Sequence, residues 1–429
     1  MTISGQAGSP ERKEPAGRRI LLTGGRAPAT LDLARQLAAN GHAVYVAESC
    51  PEQLCKRSRA VRRSYLVPEP AANPRAYAAA LRDIAAAERM DWLLPMCEEL
   101  FYVAAGLDEL QSVCRVLAEP PGKLRRLHSK WEFISRVQEL GLSAPQTHLL
   151  SSPQERAAFM AEEAERAKRR REAGEPDAAK WVFKPVFSRF SSKVVIAEVK
   201  ASGWQPDSRL AALPVTGEEP WVAQRYIEGT GYCSYSIAQQ GTITAHAVYP
   251  VRFTAGRGAC ISFEPVKHPG IDRWTERFIR EEGFTGQIAF DFIEDREGGL
   301  YPLECNPRAT SGIHLFRPED RLDRALMPEE GQPLPERIEP QASRKAMIAA
   351  AMLSCGAVAL LKDFSRERLG SWLRIMTGGR DVVFRANDPG PLWQQFRLVY
   401  WNLRVGARHR ISVMEASTKD IEWNGGELR

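Results

Sequence analysis

The chain has 429 residues, long for one core and suited to two or three domains, and its 44% hydrophobic content supplies the apolar surface to fill them. Its 59 basic and 53 acidic residues leave a formal charge of +6 spread along the chain, which argues against a nucleic-acid partner. Eight cysteines without a CxxC pair exclude a zinc or disulfide framework and predict reduced, mostly buried thiols in a soluble cytoplasmic protein.

In chain order, residues 1–17 are polar, lack the apolar stretch of a secretory signal and read as a disordered tail. From RRILLTGG to HAVYVAES, an apolar strand, a Gly-bearing turn, an amphipathic helix closed at Gly41 and a second strand form a βαβ unit. LVPEP near 66 and DWLLPM near 91 read as further strands around an Ala-rich helix, so an open α/β domain is predicted to about residue 125. The stretch 129–141, SKWEFISRVQELG, has a Ser N-cap and a closing Gly and predicts a helix. The charged run 161–177 has no interleaved aromatics and reads as a solvated helix and loop. Short strands dominate from 180 to about 307, and helices return after a Pro-rich linker at 331–340. The apolar run 346–361 falls short of the ~20 residues of a membrane span and is expected as a buried helix. Farther on, Trp393, Phe396, Val399, Tyr400 and Leu403 recur at helical spacing and are expected in the core.

The richest chemistry lies in QIAFDFIEDREGGLYPLECNPRATSG, 287–312, two β-rich segments around DREGG. A hairpin turning between Glu297 and Gly298 sets Asp291 opposite Glu304, and strand alternation puts Asn306 on the same face. Opposed like charges destabilise a sheet unless a cation lies between them, and an all-oxygen set suits Mg²⁺ or Mn²⁺ better than zinc. Arg308 follows on the same parity with a planar donor fork for phosphate or carboxylate. Cys305 alternates to the other face, toward the core. His314, just beyond, is a candidate to touch substrate, with a structural histidine as the equal alternative.

With Lys184 upstream and ECNPR downstream, residues 18–330 resemble the ATP-grasp superfamily, in particular its carbamoyl-phosphate-synthetase-like and amino acid ligase members. The resemblance implies an α/β protein, α+β in the grasp. It places a Rossmann-like pre-ATP-grasp domain at 18–125, a two-subdomain grasp at 126–330 with its flap at about 145–222, and a partly helical C-terminal region at 331–429. It implies that Lys130 and Lys184 contact ATP, with Lys184 also catalytic, that the flap residues Ser188, Arg189 and Ser191 close over phosphate, and that WVAQRYIEG is the adenine hinge. There Gln224 meets the amino group, Arg225, Tyr226 and Ile227 supply the edge, and Ile227 packs on the ring. Asp291, Glu304 and Asn306 match the magnesium ligands and Arg308 the catalytic arginine. Arg252, Arg257, Glu264 and His268, between hinge and hairpin, are candidates for the acceptor pocket.

The implied chemistry is ATP-dependent activation of a small-molecule carboxylate as an acyl phosphate, followed by attack of an amine. No membrane partner is implied, and a homodimer is left open. Two positions depart from the family pattern: Gly231 or Tyr232 stands where a ribose-binding Glu is common, and the flap has serines and Arg189 in place of glycines. The alternatives are an enzyme that stops at an acyl or carbamoyl phosphate, a non-catalytic ATP-binding module, and a dinucleotide enzyme with Glu48 as the ribose acid. GGRAPA lacks the GxGxxG spacing of the last.

Overall fold

The computed structural model describes residues 17–188, 193–256 and 258–426, so Arg189, Ser191 and Arg257 lie outside the described residues. Three larger sheets follow one another along the chain. The first is parallel, with strands β1 (Arg19–Thr23), β2 (Ala43–Glu48), β3 (Val61–Leu66), β4 (Trp92–Leu94) and β5 (Arg115–Val116) in the order β3-β2-β1-β4-β5. Apolar runs such as ILL in β1 are buried on both faces, as parallel strands covered by helices require. Helix α1 (Pro28–Ala39) starts with proline in its first turn, and α2 (Pro74–Ala87) is capped by the Asn73 side chain, which accepts from Ala76 N–H.

The second sheet is antiparallel: β6 (Thr147–Leu150), β7 (Ala179–Pro185), β8 (Val195–Lys200), β9 (Gly203–Gln205) and β10 (Trp221–Arg225), ordered β6-β10-β7-β8-β9. Its core is aromatic, with Phe159, Trp181, Phe183 and Trp204 in edge and tilted contacts. The third sheet holds the hairpin: β11 (Gly229–Gln239), β12 (Thr242–Pro250), β13 (Gly286–Asp295) and β14 (Leu300–Asn306), in the order β12-β11-β13-β14. Helices α3 (Lys130–Glu139) and α4 (Pro269–Glu282) cover it, stacking Phe133, Trp274 and Phe278 around Phe290 of β13. Because α3 belongs to this core, its first residue, Lys130, is anchored at the hairpin.

Two C-terminal expectations are corrected. The run 346–361 is not one buried helix: a two-residue strand precedes short helical turns, one of them a π-turn, and Leu353, Val358 and Leu361 are exposed. The stripe from Trp393 to Leu403 lies on α5 (Gly390–His409), but it faces outward, and the helix buries Pro391, Gln394, Asn402 and Gly406 instead. Helical spacing defines a face without saying which neighbour it meets, and polar contacts hold the opposite face here. The C-terminal region is sewn to the first sheet by ion pairs from Arg26 to Asp420, Arg35 to Asp388, and Arg380 and Arg385 to Asp32. No helix among the described residues is long and apolar enough to cross a membrane.

Candidate active site

The hairpin brings Asp291 directly opposite Glu304, as strand alternation predicts, but the register has two parts. The turn centres on Glu297: Asp295 N–H donates to Gly299 O, the Asp295 carboxylate accepts from Glu297 and Gly299 N–H, and Gly298 takes φ +82°. Pairs near the turn therefore sum to 594, from Phe292 with Pro302 to Glu294 with Leu300. A bulge at Leu303 restores 595 at Asp291 with Glu304 and Ala289 with Asn306. The expected single turn register is thus off by one, and the bulge recovers it at the site. The bulge also frees the Leu303 carbonyl, which accepts from Lys184 Nζ at 3.3 Å.

Two lysines face the carboxylates. Lys130, at the first turn of α3 behind the Ser129 cap, is buried, sits 3.7 Å from Glu304 and donates to the Ser188 carbonyl at 3.1 Å. Lys184 at the end of β7 is buried and donates to Gln224 Oε1 at 2.9 Å. Burial brings Lys184 down to about 8, with Lys130 adding to the fall and Glu304 and Asp291 opposing it. Burial and then the neighbouring Glu304 charge push Asp291 up to about 7. Burial raises Glu304 as well, but Lys130 and Lys184 outweigh it and hold its carboxyl low. The two opposed carboxylates repel each other, and Asp291, the one driven up, is the first to take a proton.

That arrangement fits a divalent ion. The set is two carboxylates and the Asn306 amide, and among the described residues no group of three or more His, Cys, Asp or Glu is placed to hold a metal. So few protein oxygens suit Mg²⁺, which keeps waters and takes phosphate oxygens. A cation between them would relieve that repulsion. Arg308 donates to Asn306 Oδ1 at 3.0 Å and lies 3.5 Å from Glu98 Oε1. Glu98 is fully buried at the carboxyl end of β4, so the parallel sheet orients the arginine of the hairpin. Sequence reasoning missed Glu98; its signal is an acidic pair in MCEEL just after a parallel strand, where such sheets place ligand groups.

At the hinge, Gln224 is buried on β10, with Oε1 taken by Lys184 and Nε2 donating to Thr147. Arg225 N–H donates to Gln146 O and Tyr226 N–H to Lys180 O, and the Arg225 guanidinium lies over Trp181. The Ile227 N–H has no protein acceptor among the described residues.

The acceptor-pocket candidates scatter. His268 caps α4, accepting from Ile271 N–H, and its other ring nitrogen is 3.3 Å from Glu294. Arg252 and Lys345 both reach Glu264, and Arg252 donates to Ser371, so this cluster ties the third sheet to the C-terminal region. His314 is corrected to a structural role: it is buried, 2.9 Å from Asp32 of α1, in the cluster that Arg380 and Arg385 complete. The short 3₁₀ turn carrying it packs on α1, which takes the ring away from the hairpin face.

The carboxyl ends of β1 and β2 show why a dinucleotide does not fit. Glu48 is bound by the Arg26 guanidinium and by the Arg26 and Cys50 N–H groups, and Asp420 closes over Arg26 and Ser49. Trp423 then packs on Phe101 and Phe187. The C-terminal segment fills the crevice where a dinucleotide would lie.

No family model and no curated protein matches the chain. Solved structures do. N5-carboxyaminoimidazole synthetase from Staphylococcus aureus superposes with TM-score 0.57 at 14% identity, over 81% of this chain and 86% of that one. The same enzyme complexed with ADP gives TM-score 0.53 at 14% identity, over 76% and 80%. An L-amino acid ligase from Bacillus licheniformis gives 0.55 at 15% identity, over 78% and 80%. Phosphoribosylamine–glycine ligase from Thermotoga maritima gives 0.53 at 15%, over 75% and 78%. At such identities the likeness speaks for the architecture: this chain has the ATP-grasp fold.

Proposed function

We propose that the chain is an ATP-dependent carboxylate–amine ligase that forms an amide or peptide bond through an acyl phosphate and releases ADP and phosphate. The observation that carries this reading is the cross-strand Asp291 and Glu304 pair, ringed by Lys130, Lys184 and Arg308. Structures of this fold carry names such as amino acid ligase and glycine ligase, and one is solved with ADP.

In this reading Ile227 N–H meets the adenine edge, and Lys130 and Lys184 hold the phosphates. Asp291, Glu304 and Asn306 would hold Mg²⁺, which would supply neutralisation of the phosphate charge. A substrate carboxylate oxygen attacks the γ-phosphorus, the bond to the β-bridging oxygen breaks, and ADP leaves. The amine nitrogen then attacks the acyl carbon, the carbon–oxygen bond to phosphate breaks, and the nitrogen loses a proton. Arg308, oriented by Asn306 and Glu98, stabilises the tetrahedral oxyanion. Water exclusion falls to the flap, through side-chain donors and Ser188 as well as backbone.

The test is ADP release across a panel of small carboxylates and amines, with hydroxylamine trapping to report the acyl phosphate. Release that requires both a carboxylate and Mg²⁺, stops with a chelator and is lost in Glu304→Ala supports the reading. Equal turnover in that variant overturns it.

A further inference from the structure

Helix α5 is built inside out. Gln394 is fully buried and donates to Glu52 at 2.7 Å, and Asn402 and Gly406 also face the protein. On the opposite side Trp393 is 68% exposed, Tyr400 62% and Phe396 64%, with Val399 and Leu403 half exposed. This stripe spans about 15 Å of helix. Burying such side chains is worth more than anything the helix gains by showing them to water, and no described residue covers them, so the face is shaped for a partner.

Charge narrows what that is. Residues 390–410 contain Arg397, Arg404, Arg408 and Arg410 and no carboxylate. The Arg404 guanidinium lies over the Tyr400 ring, so a positive charge sits beside the aromatic stripe. The helix packs on the turn Leu54–Arg57, where the Gly390 backbone meets Arg57, and the exposed Lys56, Arg57 and Arg59 extend the positive surface. The acids at this junction are used internally: Glu52 holds Gln394, and Asp388 holds Arg35, Ser58 and the Arg59 N–H. The tertiary fold therefore brings a second basic segment, more than 300 residues away in sequence, beside the helix that carries the stripe.

We propose that this face docks the protein in the plane of an anionic phospholipid membrane surface, its aromatic stripe in the interfacial layer and the exposed arginines of the helix on the headgroups. A second copy fits worse, because pairing the faces would oppose their arginines. Nucleic acid fits worse because Val399 and Leu403 offer nothing to stacked bases.

The experiment is co-sedimentation of the full-length protein with vesicles of phosphatidylcholine alone and with one-third phosphatidylserine, at low and at molar salt. The expected result is binding to the anionic vesicles only, lost at high salt. Arg397→Gln with Arg404→Gln weakens partitioning about fivefold per charge. Trp393→Ser with Phe396→Ser abolishes binding while leaving far-UV circular dichroism and ADP release unchanged, since neither residue touches the site. Three results overturn the proposal: no vesicle binding at low salt, a dimer in sedimentation equilibrium that Trp393→Ser dissociates, or binding to a single-stranded oligonucleotide without binding to vesicles.

Discussion

The acidic hairpin and helix α5 both break an ordinary rule of side-chain placement. β13 and β14 set the like charges of the half-buried Asp291 and Glu304 directly opposite each other, whereas α5 hides Gln394 and Asn402 and shows water its aromatics. In the hairpin the repulsion is offset within the chain, by Lys130 and Lys184 facing the carboxylates. On α5 no described residue covers the exposed stripe. In the proposed readings the contrast is between a site that small partners enter and a surface that a large partner covers.

The sharpest way to break this comparison is to remove one arm of the hairpin. Glu304→Ala is expected to lower the rate of ADP release by roughly 10³-fold, the scale of losing an electrostatic contact made in the transition state. Stability tests it next. Phe290→Ala, beneath the hairpin and fully buried among Phe133, Trp274 and Phe278, is expected to cost about 3–5 kcal/mol in urea unfolding. Arg308→Lys keeps the charge and loses the fork toward Asn306, and steady-state kinetics is expected to show kcat down by about 10²-fold with KM little changed.

Lys184 sets a pH limb. With its folded-state value lowered to about 8, its ammonium is present below that pH and lost above it. ADP affinity by calorimetry is therefore expected to fall roughly tenfold as the pH rises through 8, the worth of one charge-assisted hydrogen bond. Lys184→Arg is expected to flatten that limb. The smallest effect belongs to α5: Trp393→Ser is expected to change unfolding stability by less than about 0.5 kcal/mol. A loss comparable to that of Phe290→Ala would mean that the stripe is core after all, and the comparison would fail.

Much of the hairpin is legible in the sequence because strand alternation has a period of two and needs no distant partner. Asp291, Glu304, Asn306 and Arg308 fall on one face by counting, and Cys305 on the other, where it is buried. The bulge at Leu303 is not legible, since an extra residue leaves no compositional trace, yet it aligns the carboxylates and presents a carbonyl to Lys184. Glu98 escapes sequence reasoning for a related reason: it comes from another sheet, and no local pattern ties it to Arg308. His314 and His268 show the reverse error. Each sits near the motif in sequence, but one turns to Asp32 and the other caps a helix.

By itself, the sequence determined the elements: the alternation that makes a parallel sheet, the Ser129 cap that starts α3 at Lys130, and the parity that gathers two carboxylates, an amide and a guanidinium. Those features depend on neighbours a few residues away, where backbone geometry leaves little choice. Only the tertiary structure decided which face of α5 meets the protein, which buried acid holds Arg308, and that Asp420 seals the crevice over Arg26. Such pairings join residues hundreds of positions apart, and they depend on how whole elements pack, which no local periodicity encodes.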